Sequence, residues 1–229
     1  VGNVKTPTLV VTGLADERVH PTQSFEYYRH LKATGTPCDL TIEDALAVRR
    51  ATAARLVAPI VVGTSEISGG GRLRESLVVG TVADYYAVRN FRMAQGRFLP
   101  EEDWTRGSPV IVLGAKVRED VFGATPALGQ FVRIGDRRFR VIGVLASTGT
   151  GLGMNTDELA FVPVATAQQM FNTNTLFRIL VEARNREAIP VAKEQVREII
   201  KARHGGEEDV TTITQDAVLA TFDRLLGTL

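Results

Sequence analysis

The chain has 229 residues, more than one average domain of roughly 100 to 150 residues requires, so two compact units or one with a large insertion are expected. Its 27 Lys and Arg against 26 Asp and Glu leave a net charge of +1, which removes the global field on which nucleic-acid or anionic-membrane binding depends. Hydrophobic residues at 44% with 23% charged exclude a disordered chain, and the single cysteine, Cys38, excludes an internal disulfide and a Cys-rich zinc site. The longest apolar runs, residues 56–62 and 141–145, fall far short of the roughly 20 residues of a spanning helix. The opening residues do not read as a signal peptide, and both ends read as cut from something longer.

Taken in chain order, residues 8–13 form a short apolar run closed by Gly13 and read as a buried strand, followed by a polar loop over 14–21. Phe25, Tyr28 and Leu31 recur at helical spacing over 22–33, and Gly35-Thr36-Pro37 stops that helix. Thr41 with Asp44 reads as a capping box, in which hydroxyl and carboxylate satisfy free amides at a helix start; the helix is expected to run about 14 residues, to Leu56. Residues 56–67 and 72–80 are strand-like and flank Gly69-Gly70-Gly71, which predicts an antiparallel hairpin. A strand over 110–113, a helix over 116–122 and a hairpin of 130–134 with 137–145 follow. In that hairpin Phe131 and Arg133 alternate with Val132 and Ile134, and Arg138 and Arg140 with Phe139 and Val141. Residues 159–162 read as a strand, Pro163 prepares a short helix ending near Phe171, and 176–183 is a further strand. Val191, Ala192, Val196, Ile199 and Ile200 lie on one helical face, closed by Gly205-Gly206. A last strand over 209–213 precedes an apolar-patterned segment over 215–226. The fold class is α+β with an inserted, β-rich domain near residues 98–174.

Complete catalytic constellations are not found. Gly63-Thr64-Ser65-Glu66-Ile67 lacks the second glycine of a nucleophile elbow and lies in a predicted strand, so Ser65 reads as a hydroxyl on a strand face. His20, His30 and His204 read as surface or helix-terminal residues, and no spacing places metal ligands on one helical face. Glu101-Glu102-Asp103 reads as a helix start whose acids complement the dipole. Gly149-Thr150-Gly151-Leu152-Gly153 lacks the Lys-Ser/Thr of a phosphate loop. Arg72, Arg74, Arg89, Arg92 and Arg97, with Phe91 and Phe98, make a basic stretch interleaved with Glu75, Asp84, Glu101 and Glu102, and read as solvated charge. No cofactor and no metal site is expected.

Two resemblances meet near residue 40. Tyr85-Tyr86-Ala87-Val88-Arg89, Gly96-Arg97-Phe98, Val112-Leu113-Gly114, Val121-Phe122-Gly123, Leu128-Gly129-Gln130, Arg133-Ile134-Gly135 and Phe139-Arg140-Val141-Ile142-Gly143-Val144-Leu145 occur in an order that resembles the periplasmic core domain of macrolide-exporter-like (MacB-type) ABC transporter permeases. The resemblance runs from Thr41 to Leu229. It implies a porter-like subdomain in two segments, 41–97 and 175–229, and an inserted sabre-like subdomain, 98–174. It further implies a noncatalytic domain on the periplasmic side of the cell membrane, coupling ATP-driven movement to substrate export. The implied partners are the membrane helices and ATPase of the same permease, a periplasmic adaptor, and a second permease in a dimer, with no nucleic acid.

Residues 1–40 resemble the late strand, acid-bearing loop and helix of prolyl-oligopeptidase-family α/β-hydrolases, through 5–11 (Lys-Thr-Pro-Thr-Leu-Val-Val), Asp16, Arg18-Val19, Gln23-Ser24, Tyr28 and Leu31-Lys32. That resemblance makes Asp16 a triad acid, with neither the serine elbow nor the histidine segment present for it to orient. The alternative function is accordingly a serine hydrolase fragment.

Overall fold

In a computed structural model, the structure describes residues 8–13, 40–147, 155–206 and 210–214. The helix expected over 22–33 and the segment over 215–226 lie outside them. Contacts divide the chain into a discontinuous unit, Val4–Ala58 with Thr175–Leu229, and a unit centred on Pro59–Asn174. The inserted domain was expected to begin at residue 98. The compact unit instead starts at Pro59, because the long hairpin before residue 98 pairs with strands from after it.

The discontinuous unit contains strands β1 (Thr8–Gly13), β9 (Arg178–Ala183) and β10 (Val210–Thr214), with β1 between the other two and antiparallel to both. Residues 8–13 are therefore an inner strand of this ladder rather than a separate appendage. Two helices accompany it: α1 (Ile42–Val48) and α5 (Ile189–Arg203), which pack on each other, α5 also touching β1 and β10. Of the predicted stripe of α5, Ala192, Val196 and Ile200 are fully buried and Ile199 partly so, whereas Val191, in the first turn, is exposed. Pro190 sits in its first turn, where a missing N–H costs nothing. Helix α1 is half the expected length. After Val48 the chain turns through successive tight hydrogen bonds, Ala51 N–H to Val48 O and Ala54 N–H to Ala51 O, and strand β2 (Ala54–Gly69) takes over.

The second unit is built from six strands that pair in a closed circuit. β2 pairs β3 (Arg72–Thr81), β3 pairs β8 (Leu159–Pro163), and β8 pairs β5 (Val110–Leu113). In turn β5 pairs β7 (Arg137–Leu145), β7 pairs β6 (Phe131–Ile134), and β6 returns to β2 through Ile67↔Ile134 and Ser68↔Arg133. Closing the ladder removes the open edges that would otherwise recruit other chains. One short strand, β4 (Met93–Gly96), hangs on β7 outside the circuit. The β2–β3 turn is two residues, Gly70 and Gly71, with φ of 55° and 77°, the left-handed pair that a tight hairpin matching strand twist requires.

Alternation along the strands sorts the side chains into two faces. Ile67, Val78, Ile111, Leu113, Val132, Ile134, Phe139, Val141 and Ala160 share the inward face, and all are buried. Helix α3 (Ala115–Phe122) packs against β3 and β7, and α4 (Val164–Phe171) against β3 and β8. On the outward side, Phe161 carries an aromatic cluster: Tyr85, from the short helix α2 (Asp84–Val88), with Phe91 and Phe98, at ring separations of 5.5–6.1 Å. That cluster roofs one part of the outward face.

Candidate functional site

Of the residues that the sequence singles out, Ser65, His204 and Glu101–Asp103 lie within the described part of the structure. Ser65 lies within β2 opposite Ser76, whose hydroxyl is buried without a hydrogen-bond partner, and the next pair, Glu66 and Glu75, alternates to the other face of the strands. Asp16, His20, His30 and the Gly149–Gly153 loop lie outside the described residues. Glu101, Glu102 and Asp103 do not start a helix: they occupy a loop in which Asp103 accepts from the Thr105 amide at 2.9 Å and hydroxyl at 2.8 Å. Those two donors hold the Asp103 carboxyl below the ordinary carboxylate range. Glu102 is spent on the Ser108 hydroxyl, 3.2 Å away. Among the described residues no group of three or more His, Cys, Asp or Glu converges on a common point. Phe91 and Phe98, expected near a basic stretch, are buried in the aromatic cluster and present no ring to a base.

Two charged clusters are built into the units. In the discontinuous unit, Asp44 completes the predicted capping box with Thr41: the Thr41 hydroxyl receives the Asp44 amide, while Asp44 Oδ2 receives the Thr41 amide at 2.9 Å and hydroxyl at 2.8 Å. Arg203 Nε reaches Oδ1 at 2.5 Å, and His204 Nε2 lies 3.3 Å from Oδ2. Burial raises the Asp44 carboxyl, but the donors from Arg203, Thr41 and His204 outweigh it and hold it below the usual range. In the barrel unit, Arg74 pairs with Asp120 of α3 and lies 3.8 Å from Glu158, while Lys116 reaches Asp120 at 3.1 Å. Beside them a cavity of about 710 Å³ is lined by Arg72, Arg118, Glu119, Asp120 and Gly123. Its cations and anions offset one another, and Arg118 is already committed to the Gly123 and Thr125 carbonyls.

A third feature is a surface. The outward face of β2, β3, β6 and β7, beyond the aromatic roof, is bare. Phe131 is 51% exposed and Leu73 66% exposed, among the exposed side chains of Arg133, Arg138 and Arg140. The Arg138 guanidinium rests 4.6 Å from the centre of the Phe131 ring. The alternation of residues 131–134 with 138–141 already separates these two faces in the sequence, and it puts one aromatic ring, Phe131, on the arginine side.

Similarity to known proteins decides the family. The family model described as MacB-like periplasmic core domain matches residues 7–199, most of the chain. This chain belongs to the MacB-like periplasmic core domain family. The match begins at Pro7, so the boundary placed at residue 41 is corrected: β1, central in its ladder, falls inside the family region. Nothing in the comparisons supports the hydrolase resemblance of residues 1–40. Curated relatives include the pyoverdine export ATP-binding/permease protein PvdT of Pseudomonas entomophila, 28% identical over 183 residues, covering 79% of this chain and 28% of that protein. The macrolide export ATP-binding/permease protein MacB of Bdellovibrio bacteriovorus is 27% identical over 176 residues, covering 76% and 27% respectively. The chain thus spans little more than a quarter of the length of these relatives. Among solved structures, the periplasmic region of MacB from Actinobacillus actinomycetemcomitans aligns over 96% of this chain and 94% of its own, with a TM-score of 0.76 and 20% identity. The extracellular domain of the noncanonic ABC-type transporter YknZ from Gram-positive bacteria aligns over 90% of this chain and 99% of its own, with a TM-score of 0.70 and 21% identity. These likenesses establish the fold.

Proposed function

We propose that this chain is the noncatalytic, periplasmic-side domain of an ABC-type export permease, relaying ATP-driven movement of the membrane helices to substrate export or to an adaptor. The observation that carries the reading is the family match over residues 7–199. The agreement in fold with the MacB periplasmic region along nearly the whole chain supports it. The porter-like part corresponds to the segments flanking the insertion and the sabre-like part to the inserted β-rich segment. In the parent permease the ATPase and membrane helices are further parts, and two permeases act together as a dimer. No residue of the domain carries chemistry in this reading; packed elements transmit motion because a close-packed core deforms little.

The test uses the full-length parent transporter in membranes, with residues 59–174 replaced by a short flexible linker. ATP hydrolysis by the cytoplasmic part should persist while export of its substrate is lost. Export at the unmodified rate would sink the reading.

A further inference from the structure

The cavity beside α3 holds a guanidinium without a partner. Arg72 opens β3 directly after the Gly70–Gly71 turn and lies on the same face of the strand as Arg74, two residues on. Helix α3 ends over this corner of the sheet, with Val121 and Phe122 against Gly69 and Gly70. A Cβ on Gly123, the residue after the helix, would fall 2.7–3.2 Å from Nη1, Cζ and Nη2 of Arg72, so the whole fork lies against glycine backbone. Arg118 brings a second guanidinium to the same residue, donating to the Gly123 carbonyl at 3.0 Å and to the Thr125 carbonyl at 3.5 Å. Free carbonyls at a helix C-terminus draw cations, and Arg118 meets that demand. Arg72 does not: among the described residues it makes no hydrogen bond or ion pair.

The four charges that line the cavity sum to zero, yet they are not one another's partners. Glu119 and Asp120 are held by Lys116, at 3.3 and 3.1 Å, and Asp120 also by Arg74, which lies 3.8 Å from Glu158. With these neighbours counted, the cations Arg72, Arg74, Lys116 and Arg118 meet the carboxylates Glu119, Asp120 and Glu158, and the charge left over is that of Arg72. We propose that this cavity binds a small organic anion, whose carboxylate or phosphate takes the Arg72 fork through paired N–H···O bonds, with Arg118 as a second positive charge nearby. A volume of about 710 Å³ suits a small molecule rather than a bare ion. The other walls narrow the class. Ala115, Gly123 and Ala124 leave room, while Glu119 and Asp120 accept hydrogen bonds and repel further negative charge. They favour a ligand with one anionic group and hydroxyl or amide donors beside it, and disfavour a polyanion. Arg72 is exposed, so the site is reached from solvent and binding is modest, with a Kd on the order of 1 mM. The proposal stands on the geometry of the barrel unit and is independent of the transport reading.

Amide-resolved NMR titration of the 229-residue chain at constant ionic strength tests it, with glycerate and glycerol 3-phosphate as probes and sodium chloride as the control. The probes differ in their anionic group, so the one that binds identifies carboxylate or phosphate as the preferred head. At least one of them should give saturable shifts centred on residues 72, 118 and 123–125, and chloride should give none that saturate. R72Q should weaken that binding by about tenfold, and R72K, which keeps the charge and loses the fork, should fall between R72Q and wild type. R140Q, on the opposite face of the strands, should leave it unchanged. Dispersed amide spectra check that each variant folds. Neither probe saturating at those residues, shifts spread evenly over the exposed arginines, or R72Q binding as wild type does would each overturn the proposal.

Discussion

At Asp44 four donors from two helices converge on one buried carboxylate. Thr41 supplies an amide and a hydroxyl at the start of α1, and Arg203 and His204 supply charge and a ring nitrogen at the end of α5. The side chain therefore caps one helix and pins it to another, and its negative charge lies where the α1 dipole favours it. Because its folded pKa is depressed, the stabilisation is fully present above the unfolded value of about 3.9 and is lost as pH falls through the folded value. Asp44→Asn keeps the shape but removes the charge, and leaves Arg203 facing a neutral group. It should cost about 2 to 3 kcal/mol at neutral pH, within the range for charge-assisted hydrogen bonds and a lost cap. Urea unfolding of the two proteins should show that gap at pH 7 and a much smaller one near pH 2. A gap unchanged by pH would mean that packing, not ionisation, makes the site.

Among the elements, the β6–β7 hairpin separates two phenylalanines that composition cannot distinguish. Phe139 is 1% exposed inside the barrel and Phe131 is 51% exposed outside it. Phe139→Ala should cost about 3 to 5 kcal/mol, whereas Phe131→Ala should change monomer stability by less than about 0.5 kcal/mol. Chemical denaturation of both variants at low protein concentration reads the difference, and comparable losses would refute the assignment of faces. Gly80 of β3 supplies a second case, since a Cβ there would fall on the Cβ of Ala167 in α4. Unlike the end of a flexible side chain, that methyl sits on helix backbone, so Gly80→Ala should destabilise by about 1 to 3 kcal/mol, measurable as a lowered melting temperature. Such alternation and capping are local signals, which is why the hairpins, the α1 start and the buried stripe of α5 were legible in the sequence. The return of β6 to β2 was not, because it depends on Ile67 meeting Ile134, 67 positions further along the chain, and no local period records that pairing. The same limit hid the candidate surface: residues 66, 75, 133 and 138 share a face only after the circuit closes. Glu101–Asp103 misled for the opposite reason, since acids suited to a helix start also serve a turn, and Thr105 offered Asp103 the competing bonds.

For the whole molecule, Lys and Arg nearly balance Asp and Glu, leaving a net charge of +1. Near-neutrality excludes long-range steering, so any partner must be met by local complementarity. The division of the chain is uneven: one unit draws on segments before and after the other, which is essentially continuous over Pro59–Asn174. The continuous unit holds its own closed strand circuit, its own inward core and the helices α3 and α4 that pack on it. Its six strands pair with one another in a closed circuit, and domains with an autonomous core fold alone. A fragment of residues 59–174 should accordingly unfold cooperatively, with an m-value in proportion to its size and dispersed amide resonances. The complementary fragment, residues 175–229 alone, lacks β1 and α1 and should show no cooperative transition, since β9 and β10 are joined only through β1. A noncooperative 59–174 fragment would mean that the barrel draws essential stability from the flanking segments. The insertion would then be a dependent elaboration of one domain, and the family's core would have to move as a single body.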